Sequence, residues 1–140
     1  MIQREHLAAA RVEAHPRFAI TRMNWDAPGL RFMVVDGDTE LVPGVELLAA
    51  GGRVPSLQAV LVRLPKTGPV LLAIDAMTLD MAGYTPETRP IGAYDMDEAG
   101  VRASTRKLLD LAGREGVKLI VYGHDPAQWQ TLHTAPEFYE

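Results

Sequence analysis

The sequence predicts an α/β (α+β) domain, rich in short strands that gather into one mixed sheet. Three observations carry that reading. The runs at 57–64 and 70–74 contain AVLV and VLLAI, apolar at nearly every position, the pattern of strands covered on both faces rather than one. Turn signals recur at short spacing, Asp36-Gly37, Pro43-Gly44 and Pro65 with Gly68, and cut the intervening chain into short extended pieces. Helix-forming stretches frame these pieces, near the N-terminus and after residue 95.

Residues 3–14 are rich in Ala, Leu, Glu and Arg and predict a helix that stops before His15-Pro16, because a residue preceding proline is pushed out of the helical region. Residues 18–22 predict a short extended piece, and NWDAPG at 24–29 a loop. Residues 30–35 then lead through Asp36-Gly37 into 40–42 as a hairpin. Pro43-Gly44 turns the chain into a strand at 45–49, which enters the loop AGGRVPSL at 50–57. The strands at 57–64 and 70–74 flank Pro65-Lys66-Thr67-Gly68. Past Asp75 a long irregular segment runs through Gly83, Pro86, Pro90 and Gly92, of a kind that commonly lines a site or a contact. Asp95 and Glu98 have the spacing of a capping box. The helix they open carries Val101, Leu108, Leu111 and Ala112 on one side and stops near Gly116. Residues 117–122 predict a buried strand. In Gly123-His124-Asp125-Pro126, Asp125 is placed to cap a last helix with Pro126 at its first position.

At 140 residues the chain is read as one domain, 1–140. Its net charge of −4 argues against nucleic-acid binding, which needs clustered Lys and Arg; the densest basic spot, Arg102, Arg106 and Lys107, reads as a solvated helix face. There is no cysteine, so disulfides, thiolate metal sites and cysteine nucleophiles are excluded. The N-terminus is amphipathic rather than a charged stub before an apolar core, and no apolar run approaches the ~20 residues that span a bilayer. A cytoplasmic protein with no membrane partner is expected. No Gly-x-Ser-x-Gly elbow is present, Ser56 and Ser104 have no neighbouring base, and Gly51-Gly52 lacks the Gly-Lys-Ser/Thr of a phosphate cradle. Trp25, Trp129 and Tyr122 read as packing residues, and His6, His15 and His133 as surface or loop residues.

The order VDGDTELVPGVELL, a loop, QAVLVRLPKTGPVLLAIDA, a helix, GVKLIVYGHDPAQWQTL and APEFYE resembles the C-terminal half of the metallo-β-lactamase superfamily, on its N-acyl homoserine lactonase-like branch. The resemblance covers roughly residues 16–140. It implies half of an αββα sandwich: one mixed sheet with helices on its outer face and metals, in the family, at one edge between two sheets. The family's first half carries a His-x-His-x-Asp-His cluster, which occurs nowhere here, so the chain reads as truncated and metal-deficient. The second half carries a histidine in a Thr-Pro-Gly-His-Thr-Pro-Gly-His loop, a metal-bridging aspartate after an apolar strand, and a histidine in Gly-His-Asp. On that pattern Arg53 stands in the place of the loop histidine and Leu57 in that of the second one. Asp75 matches the bridging aspartate, with Ile74 where glycine commonly precedes it, and His124 matches the last histidine.

The resemblance therefore leaves two metal-ligand positions, while a hydrolytic zinc site takes three protein ligands and a water. A guanidinium stays protonated and cannot ligate. Arg53 is expected instead to pair with Asp75 as a fixed cation, with Arg53→Ala destabilising by about 2–4 kcal/mol if the pair is buried. The predicted site is Arg53, Asp75 and His124 in catalysis, with Tyr84 and Tyr94 lining the pocket, no metal within a single chain and no cofactor. Of the isolated His124, the plain alternative is a backbone hydrogen bond beside a helix cap.

A sheet of five strands presents about 400 Å² of flat area per face, on the order of 10 kcal/mol of burial at ~25 cal/mol/Å². An apolar face that size is expected to find a cover, so the sandwich is expected to be completed by a homodimer or by a partner chain supplying the other half. Two functional expectations follow. One is a metal-deficient dimer acting through the residual cleft as a small-molecule binding or scaffold protein, or as a metal-free catalyst on a carbonyl compound or thioester. The alternative is a metal-dependent lactone or ester hydrolase with its site completed across the subunit interface, where Asp75 and His124 of two copies would hold zinc or iron.

Overall fold

The computed structural model describes residues 1–12 and 16–140, with the side chains of residues 16 and 17 left aside. Five strands form the main sheet: β3 (Thr39–Val42), β4 (Val45–Ala49), β5 (Gln58–Leu64), β6 (Gly68–Ile74) and β7 (Leu119–Tyr122). Their spatial order follows the chain; β3 to β6 are antiparallel and β7 is parallel to β6. Helix α3 (Glu98–Glu115) makes the connection that a parallel pair requires.

Register explains why strands apolar at almost every position still have two unlike faces. Leu48 faces Ala59, Leu61 faces Leu71, and Leu71 faces Ile120. With Leu108 of α3 these form the buried core. Neighbouring positions point the other way, Leu47 to Val60 to Leu72 to Val121, and Val60, Leu72 and Val121 are only half-buried. This second face is partly roofed by the chain's own C-terminal segment. There Leu132, Phe138 and Tyr139 stand off from Val62, Leu72 and Val121 around a largely apolar hollow of about 370 Å³. The N–H groups of Lys66 and Thr67 donate to the Glu140 carbonyl and hold the segment's end at the β5–β6 turn.

The N-terminal region departs from expectation. Helix α1 (Arg4–Arg11) forms, but residues 13–15, with the histidine expected to end it, lie outside the described residues. Residues 18–22, expected as an extended piece, and the first two of the loop expected at 24–29 belong instead to helix α2 (Pro16–Trp25). Proline opens it at the one helical position that needs no N–H, Phe18 is buried and Arg22 pairs with Asp26 one turn on. The expected Asp36-Gly37 hairpin is also absent. β2 (Val34–Val35) pairs in parallel with β1 (Ile2–Gln3) instead of with β3. Buried Gln3 explains this: its side chain donates to the Gly37 carbonyl (2.8 Å) and accepts from the Gly37 N–H (2.9 Å), so the turn residue is bonded to the N-terminus.

His6 is another correction. It is half-buried edge-on to Phe18, its Nδ1 has no hydrogen-bond partner among the described residues, and burial pushes its pKa down. Nor is the basic stretch on α3 merely solvated. Arg102 pairs with Glu98 and donates to the Pro86 carbonyl, Arg106 pairs with Glu87, and Lys107 bridges Asp38 and the Ala49 carbonyl. Asp95 does not cap this helix, because its carboxylate accepts from the Gly92 N–H (2.8 Å). The αL stop at Gly116 (φ 64) and the Asp125 cap of α4 (Pro126–Trp129) form as expected. Among the described residues no helix is long and apolar enough to cross a membrane.

Candidate functional site

The site is built where β6 and β7 end side by side. Their ladder runs from Val70–Leu119 to Leu72–Val121 and then slips, so that Ile74 faces Tyr122. Ile74 has φ 48, in the left-handed region that a β-branched residue enters only under strain. The family's usual glycine at this place has no such penalty. The slip ends the ladder and leaves Asp75 at the tip of the strand. Gly123 then fits against it. A Cβ there would lie 2.7 Å from the Ile74 carbonyl carbon and 3.0 Å from Asp75 Oδ1, and the Gly123 N–H donates to the Ile74 carbonyl (3.1 Å).

His124 follows with its backbone tied, N–H to the Thr78 carbonyl at 2.8 Å, and its ring Nε2 2.9 Å from Asp75 Oδ1. The next residue is committed to structure. Asp125 accepts from the Gln128 N–H (2.9 Å) and from the Asp80 N–H (3.0 Å), and these bonds hold its carboxyl below the usual aspartate range. Asp125 thus pins the irregular segment after Asp75 to the turn that carries His124.

The loop at 50–57 supplies the third group. Gly52 (φ 119) lies so close to α3 that a Cβ would sit 2.2 Å from the Val101 nitrogen. Its carbonyl accepts from both Met96 and Asp97 N–H, at 2.8 and 2.9 Å, and Ser104 Oγ donates to the Gly51 carbonyl (2.7 Å). The glycine pair is therefore a seat for the helix start. Held by that seat, Arg53 places Nε 3.4 Å from Asp75 Oδ2 and its guanidinium carbon 5.6 Å from the centre of the Tyr94 ring.

Arg53, Asp75 and His124 are thus brought together, with Asp75 between the other two, and Tyr94 stacks on the arginine. Tyr84 is not part of this group; it lines a separate small cavity with Arg89. The side chains of Arg53, Asp75 and His124 are 20%, 37% and 61% exposed, so the aspartate is shielded on one side and the imidazole faces water. With the proton on Nε2, His124 donates to Asp75 and leaves Nδ1 free to accept. Among the described residues no three His, Asp or Glu side chains gather as a metal site, and the cluster offers two donors beside a fixed cation. His133 stacks on Tyr139 away from the cluster, Ser56 Oγ donates to Glu5, and Tyr122 is a packing residue. Buried Arg89 escaped the sequence reading, since a lone arginine in a Pro- and Gly-rich stretch looks solvated.

Comparison with known proteins agrees with this geometry. An N-acyl homoserine lactonase from a Bacillus species is 34% identical over 115 residues, 79% of this chain and 42% of that protein. N-acyl homoserine lactonase AttM of Azorhizobium caulinodans is 34% identical over 126 residues, 85% of this chain and 46% of its own. A solved N-acyl homoserine lactone hydrolase, with N-hexanoyl-L-homoserine bound at its catalytic metal center, superposes with a TM-score of 0.80 at 28% identity, over 99% of this chain and 52% of that one. No protein-family model matches. The chain belongs to the metallo-β-lactamase superfamily. Within it, this is a lactonase-like protein that spans about half the length of the relatives it matches.

Two stability predictions follow from the site. Because Asp75 is more than a third exposed, Arg53→Ala is expected to lower stability by about 1 kcal/mol rather than the larger loss of a sealed pair. Urea denaturation checks this, and a loss above about 3 kcal/mol would mean the pair is closed to water. Ile74→Gly exchanges a strained, partly exposed side chain for one that tolerates positive φ, so stability is expected to stay level or rise by up to about 1 kcal/mol. A drop of more than about 2 kcal/mol on thermal melting would show that Ile74 is not strained.

Proposed function

We propose that the chain provides one side of a lactone- or ester-hydrolysing site, with Asp75, His124 and Arg53 at its centre and the remaining groups supplied across a subunit interface. The observation that carries the reading is the 2.9 Å contact between His124 Nε2 and Asp75 Oδ1 at the neighbouring ends of two parallel strands. These are the positions the family uses for a ligand histidine and aspartate. The substrate class comes from the relatives, which are named N-acyl homoserine lactonases.

Opening a lactone requires a water that loses a proton, a stabiliser for the carbonyl oxygen as it becomes anionic, and a proton for the departing alkoxide. His124, oriented by Asp75 through Nε2, is placed to take the proton at Nδ1 and return it. Arg53 remains cationic and is suited to the developing oxyanion or the carboxylate of the product. Asp75 and His124 are the residues that would hold a zinc or iron ion. When bound, such an ion supplies carbonyl polarisation and a more acidic water. Two donors fall short of the three such a site takes, which is why the reading includes a second chain.

The second subunit is proposed to cover the half-buried face carrying Val60, Leu72 and Val121, next to the apolar hollow under the C-terminal segment. A second copy of this chain is the proposed partner, since a twofold axis turns one apolar sheet face into a two-sheet sandwich. The ion pair between Arg53 and Asp75 favours a second reading, in which the dimer binds a small carbonyl compound or thioester, or acts on it, without metal.

Purification from zinc- and iron-supplemented medium, metal analysis and hydrolysis of N-hexanoyl homoserine lactone test the proposal together. Bound metal and chelator-sensitive hydrolysis are expected, with Asp75→Asn and His124→Ala each lowering the rate by about 100-fold or more. Hydrolysis that persists in chelator points to the metal-free reading. If neither metal nor turnover is found, both catalytic readings fall. Sedimentation at micromolar concentration is expected to show a dimer; a monomer under those conditions removes the shared-interface part.

A further inference from the structure

Arg89 belongs to the irregular segment between β6 and α3, yet it is 6% exposed. Its Nη1 donates to the Ala76 carbonyl (2.9 Å) and to Thr105 Oγ1 (2.6 Å), and Thr105, fully buried, donates in turn to the Val101 carbonyl (2.8 Å). Its other two nitrogens, Nε and Nη2, have no hydrogen-bond partner among the described residues, and no carboxylate there stands within ion-pair distance. A buried guanidinium without a counter-charge in contact is unfavourable. Of the charges around it Asp95 acts most strongly and attracts it, though without an ion-pair contact and with its carboxylate bonded to the Gly92 N–H, while Arg102 and Arg53 repel it. Burial pushes the pKa of Arg89 down. Three arginines therefore act on one small region of a chain whose net charge is −4.

Arg89 also lines a cavity of about 40 Å³ with Thr78, Met81, Tyr84 and Pro90. A single water needs ~10–15 Å³ of such space, so the room suits a group of a few heavy atoms. The cavity reaches the surface beside Tyr84, which is 46% exposed. Asp80 is the one carboxylate residue on its wall, and the Ala82 N–H donates to it at 3.0 Å. The wall thus combines a buried cation with two nitrogens unused, a hydroxyl-bearing threonine, a tyrosine and the Asp80 carboxylate, which is engaged by the Ala82 N–H.

We infer that Arg89 and this cavity form a binding site for a small carboxylate group, distinct from the Arg53–Asp75–His124 cluster. A carboxylate matches the vacant face of a guanidinium in charge and in planar, two-pronged geometry, which chloride does not. The site needs neither hydrolysis nor a metal, and its test is independent of them. Thermal melting of the whole chain is measured against sodium acetate, with sodium chloride replaced so that ionic strength stays constant. A saturable rise of about 2 °C or more is expected with acetate, as for any ligand that binds only the folded state. Arg89→Met, which keeps the stem and removes the charge, is expected to abolish the rise. Should that variant fail to fold, the Arg89 Nε–H NMR resonance of the unaltered protein still decides the matter: it is expected to shift saturably with acetate and to stay still with chloride. A melting temperature that ignores acetate, equal responses to both salts, or an unmoved Arg89 resonance would each overturn the site.

Discussion

The end of β6 is the constraint on which the site depends. A parallel strand pair continued in register would carry Asp75 onward as one more rung of the ladder. The slip at Ile74, taken through a positive φ, stops the ladder one residue before the aspartate. This is tolerated because the other strand answers it: Gly123 has no side chain to collide with the Ile74 carbonyl, and its N–H bonds that carbonyl. Strain on one strand and a missing Cβ on its neighbour bring an aspartate and a histidine 49 positions apart into contact. A larger residue at 123 would push the two strand ends apart and separate the pair.

The loop that delivers Arg53 obeys a similar rule from the opposite direction. Its glycines carry no reactive group, and their use is backbone proximity: the Gly52 carbonyl accepts from the N–H groups of Met96 and Asp97, the two residues that lead into α3. The same helix buries Leu108 against Leu61 and Leu71, so the arginine's position is tied to the hydrophobic core through a few rigid contacts. In this chain the loop presents a permanent cation, Arg53, to Asp75.

What the sequence made legible follows from how local each signal is. The strands from 45 to 74, the helix stop at Gly116 and the Asp125 cap are decided by short-range periodicity and capping, and they form where expected. The grouping of Arg53, Asp75 and His124 was legible because the resemblance supplied contacts between segments far apart in the chain. Misreadings arose where a distant side chain overrode a local preference. Asp36-Gly37 reads as a hairpin until Gln3, 34 positions away, takes both hydrogen-bonding groups of Gly37. Asp95 reads as a helix cap until Gly92 competes for its carboxylate. His6 reads as a surface residue, and Arg89 gives no signal at all, because their burial comes wholly from tertiary packing, on which neither periodicity nor composition bears.

Arg53, Arg89 and Arg102 act on one another, and carboxylates pair with two of the three. Asp75 is flanked by Arg53 and His124, Arg102 is held by Glu98 and a backbone carbonyl, and Arg89 is fixed by backbone and hydroxyl oxygens with no carboxylate against it. Like charges so arranged repel, and neutral side chains would relieve the repulsion without loss of packing. The carboxylates of Asp75 and Glu98 offset it for Arg53 and Arg102, and Arg89 is the one left without a carboxylate in contact. A metal-centred site neutralises its ligands with its ion. In this chain the cation beside Asp75 is a side chain, Arg53, covalently fixed in place. Exclusion of water would act on the two arginines in opposite senses, strengthening the attraction between Arg53 and Asp75 and raising the cost of the Arg89 charge.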